Sequence, residues 1–379
     1  MKVKLGGYIQ EYSVRNKANE DIPVYSVTNT QGFCQDYFGK EVASKDKSTY
    51  KIVPRGYFAY NPSRINVGSV DWQRDEDQVI VSPLYNVFSV SPELNQQYLY
   101  YYLKSDFALH RIKAVATGSV RDNLKLEMLK NFPIRIPSVE EQEYIVQALD
   151  KAKNIIDLRR NELQKFDDLI KARFVEMFGD PETNSKGWAE IPLSEKLNVL
   201  GGYAFKSDQF EETGGIPVLR IGNINSGYFK PVNMVYWKEE RSLERYAMYP
   251  GDLVMSLTGT VGKDDYGNVC ILGNTYEMYY LNQRNAKLEL KDGLDKYYLA
   301  ELLKFSQVKK KLTGISRGVR QANISNKDIL NLVAPIPPMK LQQQFAAFVA
   351  QIDKSKATVQ KALDETQLLF DSLMQQYFG

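Results

Sequence analysis

The sequence predicts an α+β fold in which two pseudo-symmetric domains are joined by two long helices. Three observations carry this: a length of 379 residues, a self-similarity at a shift of 200, and a heptad-like apolar stripe at the end of each copy. One hydrophobic core usually stops growing short of that length, so more than one core is expected. At the shift of 200, Tyr98-Leu99 matches Tyr298-Leu299, Leu103-Lys104 matches Leu303-Lys304, and Asn123 matches Asn323. Ile136-Pro137 likewise matches Ile336-Pro337, Gln142 matches Gln342, and Phe178-Gly179 matches Phe378-Gly379. One register held over that span marks a duplicated domain.

Each copy opens with short runs rich in aromatic and β-branched residues, broken by Gly, Pro and Asn, which read as strands and turns. Here the register slips: VYSVTNTQGF from Val24 resembles VLRIGNINSGYF from Val218, and GYFAYN from Gly56 resembles GDLVMS from Gly251. Unequal lengths on a common pattern imply variable loops on a shared framework. A helix follows, bearing Tyr98, Tyr100, Tyr101 and Tyr102 in the first copy. Packing is the expected role for most of these rings.

Pro137-Ser138 and Gly179-Asp180-Pro181 bound the first long helix, start and stop signals that agree. Inside it Ile145, Leu149, Ala152, Ile156, Leu163, Phe166, Ile170 and Met177 fall on alternating steps of three and four, interrupted by Arg159 and Arg173. That spacing is the seam of a coiled coil. The C-terminal helix repeats it with Phe345, Val349, Ile352, Val359, Leu363, Phe370, Leu373 and Tyr377. Two helices with such stripes can bury each other, whereas one alone cannot. Interleaved charges on the outer faces, among them Glu141, Lys151, Asp157, Lys165, Asp168 and Lys171, read as a solvated surface. At about 1.5 Å per residue, helices of roughly 40 residues would form a rod ~60 Å long. The expected domains are 1–137, a helix over 138–180, a second domain over 181–337, and a helix over 338–379.

Composition narrows the function classes. With 43% hydrophobic and 25% charged residues and no apolar run that would span a bilayer, no membrane association is expected. The opening MKVKLGGYIQEYS lacks a signal-peptide core, so a cytoplasmic location is expected. Cys34 and Cys270 stand alone and should be free thiols. His110 is the single histidine, which disfavours a His-based hydrolytic centre or a His-Cys metal cluster. The stretch from Gly259 to Lys263 lacks phosphate-loop spacing, with Asp264 where a hydroxyl is needed. Asn61-Pro62-Ser63-Arg64 lacks the second proline and the aromatic of an adenine-methyltransferase site. No catalytic residue, metal or cofactor is therefore expected in this chain. A net charge of +3 is too small for binding nucleic acid by bulk charge, so any DNA contact must come from local clusters or be shared with partners.

Two divergent α+β units, each followed by a proline-to-glutamine segment that opens a long helix, closely resemble the specificity subunits of Type I restriction-modification enzymes. The segments are IPSVEEQEYIV from Ile136 and IPPMKLQQQFAAFV from Ile336; GNINSGYF from Gly222 and GDLVMSLTGTVGK from Gly251 are also similar to that family. The resemblance implies two target-recognition domains, each reading half of a bipartite sequence in double-stranded DNA. It also implies that the two helices run antiparallel as a coiled coil. They would dock two methyltransferase (modification) subunits, with restriction/translocase subunits in the full complex. S-adenosylmethionine and ATP are then expected only in the partner subunits. The alternative is a coiled-coil scaffold that binds proteins without reading DNA.

Phosphate contacts supply affinity and base-edge contacts supply specificity, so Arg and Lys near turns, mixed with Asn, Gln, Ser and Thr, are the candidates. No acidic residue occurs from Leu302 to Lys327, a stretch that holds Lys309, Lys310, Arg317 and Arg320 around a Gly-rich turn. Its counterpart in the first copy holds Arg111, Lys113, Ser119 and Arg121. Asn61, Arg64 and Arg74 in the first domain, and Lys206, Arg220, Asn223, Thr258, Lys263, Gln283 and Arg284 in the second, complete the expected DNA-binding set. Ile145, Leu149, Ile156, Leu163, Phe166, Ile170, Phe345, Val349, Ile352, Leu363, Phe370 and Leu373 are the expected coiled-coil and partner-docking positions.

Overall fold

The computed structural model describes residues 2–35, 46–116, 123–260, 265–313 and 321–379. The chain forms two compact units, Met1–Asn161 with Gln360–Gly379, and Glu162–Val359. Each unit therefore takes one globular part and a share of both long helices, which run from Val139–Phe178 and Met339–Phe378.

In the first unit an antiparallel four-stranded sheet has the order Ile9–Glu11, Asn86–Val90, Phe58–Tyr60, Val70–Trp72. Alternation along a strand sends successive side chains to opposite faces. Phe58, Tyr60 and Phe88 accordingly pack under the helices Gln96–Lys104 and Asp106–Ala116, while Ala59 and Val87 join a separate cluster with Val53, Val79 and Val81. That second cluster is closed by Lys51–Pro54 paired with Gln78–Val81. The result is a helix layer, a sheet buried on both faces, and a smaller sheet beneath it.

The second unit repeats the arrangement. Its main sheet has the order Leu197–Gly201, Asn285–Leu290, Leu253–Ser256, Val269–Ile271. Leu253 and Met255 face the helix side and Val254 the opposite side. Beneath lies a second sheet of Val235–Trp237, Ile216–Leu219, Tyr279–Leu281 and Ala247–Met248. Val218 runs parallel to Tyr280 as Val24 runs parallel to Ile80, so the alignment expected from the sequence across the slipped register holds in space.

The proline-to-glutamine segments acquire a physical role. Gln142 is fully buried; its amide donates to the carbonyls of Glu93 (2.8 Å) and Pro137 (3.0 Å), and its oxygen accepts from the Asn95 N–H (2.8 Å). Gln342 does the same with Gly293 (3.1 Å), Pro337 (2.7 Å) and the Asp295 N–H (2.8 Å). Asn95 and Asp295 are in turn the N-caps of Gln96–Lys104 and Lys296–Lys304. One buried amide thus ties the start of the long helix to the start of the domain helix, satisfying groups that would otherwise be left unpaired.

Within each unit the two long helices are antiparallel, because partner numbers fall as helix numbers rise. In the first unit Ile145 and Leu149 share a core with Phe378, whereas Arg159 donates to the Ala362 carbonyl and the Thr366 hydroxyl. In the second, Asp167 pairs with Lys356, whereas Phe174 and Phe178 meet Phe345. Ile145, Leu149, Ile156, Ile170, Phe345, Val349 and Leu363 are buried; Leu163, Phe166, Ile352, Phe370 and Leu373 are half-buried.

The expected seam fails towards the end of each helix, where Met177 and Tyr377 are half-buried and Phe178 and Phe378 are buried instead. Beyond Ile170 the inward residues are Phe174 and Phe178, not Arg173 and Met177, which are only half-buried. There the helix packs on the domain as well as on its partner helix, and Phe174 touches Tyr298, Phe305 and Phe345 at ring distances of 5.0–5.5 Å. Steps of four follow the 3.6-residue period of a helix on a broad core rather than the 3.5 of a narrow seam. In the first unit Phe378 fills the same place against Tyr98 and Tyr102. Tyr98 and Tyr102 each donate their hydroxyl to a backbone carbonyl, of Arg135 and Pro133, the packing role expected for these rings. Both cysteines are free, and burial pushes the Cys270 thiol up to about 12.

Candidate nucleic-acid interface

Of the expected recognition residues, Ser119, Arg121, Lys263, Arg317 and Arg320 lie outside the described residues. The second unit gathers four of the others around one open concavity of about 750 Å³, lined by Arg220, Asn223, Gln283 and Arg284 together with Phe205, Ser207, Phe210, Asn233 and Asn282. Lys206 sits on its rim between Phe205 and Ser207 and is exposed. Aromatic rings form a floor, with Phe205 5.1 Å from Trp237 and 5.8 Å from Tyr280. A cationic and amide rim over an aromatic floor can accept anionic oxygens and present donors to base edges.

The backbone holds that rim rigidly. Asn282 to Asn285 form a turn closed by an Asn285 N–H to Asn282 carbonyl bond of 2.9 Å. The Gln283 N–H donates to the Tyr203 carbonyl, and the Arg284 carbonyl accepts from Leu257. Gly202 permits this approach, since a Cβ there would lie 2.1 Å from the Asn282 oxygen. Gln283 and Arg284 stay exposed. Arg220 is half-buried and donates to the Asn233 carbonyl.

Three expected contacts are engaged inside the fold. Asn223 is buried, and its amide donates to the carbonyls of Lys230 (3.0 Å) and Val232 (2.9 Å), so it shapes the loop beside the concavity. Lys309 is 8% exposed and donates to Asn268 Oδ1 at 2.6 Å. Arg74 pairs with the buried carboxylate of Asp71 at 2.9 Å and stacks on Trp72 at 4.5 Å. Burial pushes the neighbouring Tyr100 hydroxyl up to about 12.

The remaining residues fall elsewhere. Thr258 lies on Thr258–Thr260, paired with Gln321–Asn323, and Lys310 is exposed on Ser306–Thr313. In the first unit the half-buried Asn61 accepts from the Ser63 N–H and starts the turn that leaves Arg64 exposed. The helix bearing Arg111 and Lys113 packs on the neighbouring turn Ile65–Val67. The sequence reading missed Phe205, Phe210, Asn233 and Asn282; Asn282 carried a signal as the neighbour of Gln283 and Arg284 in an Asn-Gln-Arg run, and Phe205 a weaker one as the neighbour of Lys206.

Among the described residues no helix is long and apolar enough to cross a membrane, and no group of His, Cys, Asp or Glu is placed to hold a metal ion. A family profile described as the Type I restriction modification DNA specificity domain matches residues 2–166 and again 185–366. The chain is 25% identical over 299 residues to the Type I restriction enzyme MjaVIII specificity subunit of Methanocaldococcus jannaschii, covering 71% of this chain and 68% of that protein. It is 23% identical over 296 residues to the Type I restriction enzyme EcoKI specificity subunit of Escherichia coli K12, covering 73% and 63%. Alignment thus spans about two thirds of the length of these curated relatives. The fold is similar to the crystal structure of a Type I restriction-modification S subunit from M. genitalium, with a TM-score of 0.55 at 16% identity, covering 100% of this chain and 96% of that one. The chain belongs to the Type I restriction-modification DNA specificity family and carries its domain twice, once in each repeat.

Proposed function

We propose that this chain is the non-catalytic reading subunit of a Type I restriction-modification enzyme, each domain recognising one half of a split DNA sequence. The observation that carries the reading is the doubled specificity domain, with an exposed cationic and amide rim mounted on a rigid turn in the second copy. The scaffold alternative gives no reason for two such domains.

The long helices dock the modification subunits, two in number. Each helix exposes apolar side chains at repeat-equivalent positions: Val139 and Met339 near the starts, Leu169 and Leu369 in the last third, with the two leucines 46% and 54% exposed. A surface offered twice suits two copies of one partner. S-adenosylmethionine and ATP bind those partners and the restriction subunits.

The test is co-expression with a cognate modification subunit, followed by mapping of methylated adenines in host DNA by long-read sequencing. A split motif with an unspecified centre is the expected result, and exchanging one domain should alter one half only. No new methylation from an assembled, cofactor-supplied complex overturns the reading.

A further inference from the structure

The turn that carries Arg284 has a counterpart in the first unit that charge and residue type do not reveal. Ile80 pairs antiparallel with Ile52 and parallel with Val24; Tyr280 pairs antiparallel with Ala247 and parallel with Val218. After the turn, Phe88 opposes Phe58 as Leu288 opposes Leu253. The intervening lengths are equal, and the same hydrogen bond closes both turns: Tyr85 N–H to Ser82 carbonyl at 3.0 Å, Asn285 N–H to Asn282 carbonyl at 2.9 Å. In each the fourth residue points inward and is tethered. The Tyr85 hydroxyl accepts from the Val27 N–H, and the Asn285 amide donates to the Leu219 carbonyl. The third residue is left outward on a fixed stem: Arg284 in one repeat, Leu84 in the other.

Leu84 is 76% exposed, the largest fraction among the exposed large hydrophobic residues described. At that exposure the leucine buries little apolar area, so the fold itself draws little stabilisation from it. A cation lies beside it: Lys51 donates its ammonium to the Tyr85 carbonyl at 2.7 Å, and the backbone of Arg15 bridges to that of Lys51. An apolar tip beside a cation matches the edge of a base whose flanking phosphate the cation neutralises.

We propose that Leu84 and Arg284 are equivalent specificity-determining residues, one per half-site. This rests on the reading of the chain as a DNA specificity subunit. The chemistry assigns each a base: Leu84 contacts the 5-methyl group of a thymine in the major groove, and Arg284 donates to O6 and N7 of a guanine.

The experiment measures methylation rates of the assembled methyltransferase on duplexes carrying the mapped motif. Uracil replaces each thymine of the first half-site in turn, and 7-deazaguanine each guanine of the second. For the wild-type complex, one uracil position should lower the rate a few-fold and one deazaguanine position about tenfold. With Leu84→Ala the uracil effect should vanish and the second half-site should be read unchanged; with Arg284→Ala the converse holds. Both side chains are exposed, so thermal melting of each variant should match the wild type. If neither variant changes any base preference while the wild type methylates a split motif, the assignment fails and the general reading stands. If the wild type gives no split motif, the general reading itself fails.

Discussion

In the first unit Gln142 joins Glu93, Asn95 and Pro137; in the second Gln342 joins Gly293, Asp295 and Pro337, with every atom in the same role. At the turns, by contrast, Ser82-Pro83-Leu84-Tyr85 stands where the other repeat has Asn282-Gln283-Arg284-Asn285. The backbone hydrogen bond is retained and each exposed side chain differs. A buried amide that satisfies three backbone groups has no substitute of the same shape, so duplication leaves it alone. An outward residue on a turn meets no such constraint within the fold, and only the ligand decides what it should be.

The strongest way to break the equivalence is at the aromatic cluster that closes each unit. Phe174 lies among Phe178, Tyr298, Phe305 and Phe345, while its repeat counterpart in the first unit is the half-buried Met374. Phe174→Ala should cost about 3–5 kcal/mol and lower the unfolding midpoint of the second unit. Met374→Ala should cost visibly less. Denaturant titration read by calorimetry and by fluorescence checks both, and equal losses would contradict the packing described.

Next come the glutamines. Gln142→Leu and Gln342→Leu each fill the space but strand one N–H and two carbonyls, so each should cost about 2–4 kcal/mol. The two losses should agree within experimental error, because the two sites are the same. A large loss in one and none in the other would show that the shared geometry does not carry shared energetics.

The sequence made these glutamines visible as a match at a constant shift, and it made the helix ends and most of the seam visible through Pro, Gly and apolar spacing. It did not show the change of step after Ile170, because that depends on what the helix packs against and not on its own pattern. The candidate site was legible in part. Arg220, Gln283 and Arg284 stand out by residue type near turns, and the structure brings them together. Phe205, Phe210 and Asn233 precede Gln283 and Arg284 by tens of residues and meet them only in the fold. Asn223 and Lys309 looked like surface donors and are engaged by neighbouring oxygens. Leu84 gave no signal, since an apolar residue in a turn is conspicuous only once its exposure is known.

A smaller effect is expected at Arg159, which interrupts the seam and donates to the Ala362 carbonyl and the Thr366 hydroxyl. Arg159→Leu removes a half-buried charge and extends the apolar stripe, and should change stability by about 1 kcal/mol or less in either direction. Its clearer consequence should be a weaker preference for one helix register, since a polar residue at a seam position specifies pairing. Cross-linking between cysteines placed at the Arg160 and Gln367 positions, whose side chains hydrogen-bond across the two helices, would register any slip.

The smallest expected effect concerns a partly exposed ion pair between the two helices. Asp167 and Lys356 form an ion pair of 2.6 Å in the second unit, whereas the corresponding positions in the first are Gln367 and Ile156, which carry no charge. The Asp167 side chain is 52% exposed, so solvent screens the attraction, and ordering two long side chains offsets much of what remains. Lys356→Ala should therefore cost no more than about 1 kcal/mol, and the difference from wild type should shrink further in high salt. A loss well above that, insensitive to salt, would mean that the pair holds the helices in register in the second unit as Arg159 does in the first. Two chemically unlike contacts would then perform one task on a duplicated frame.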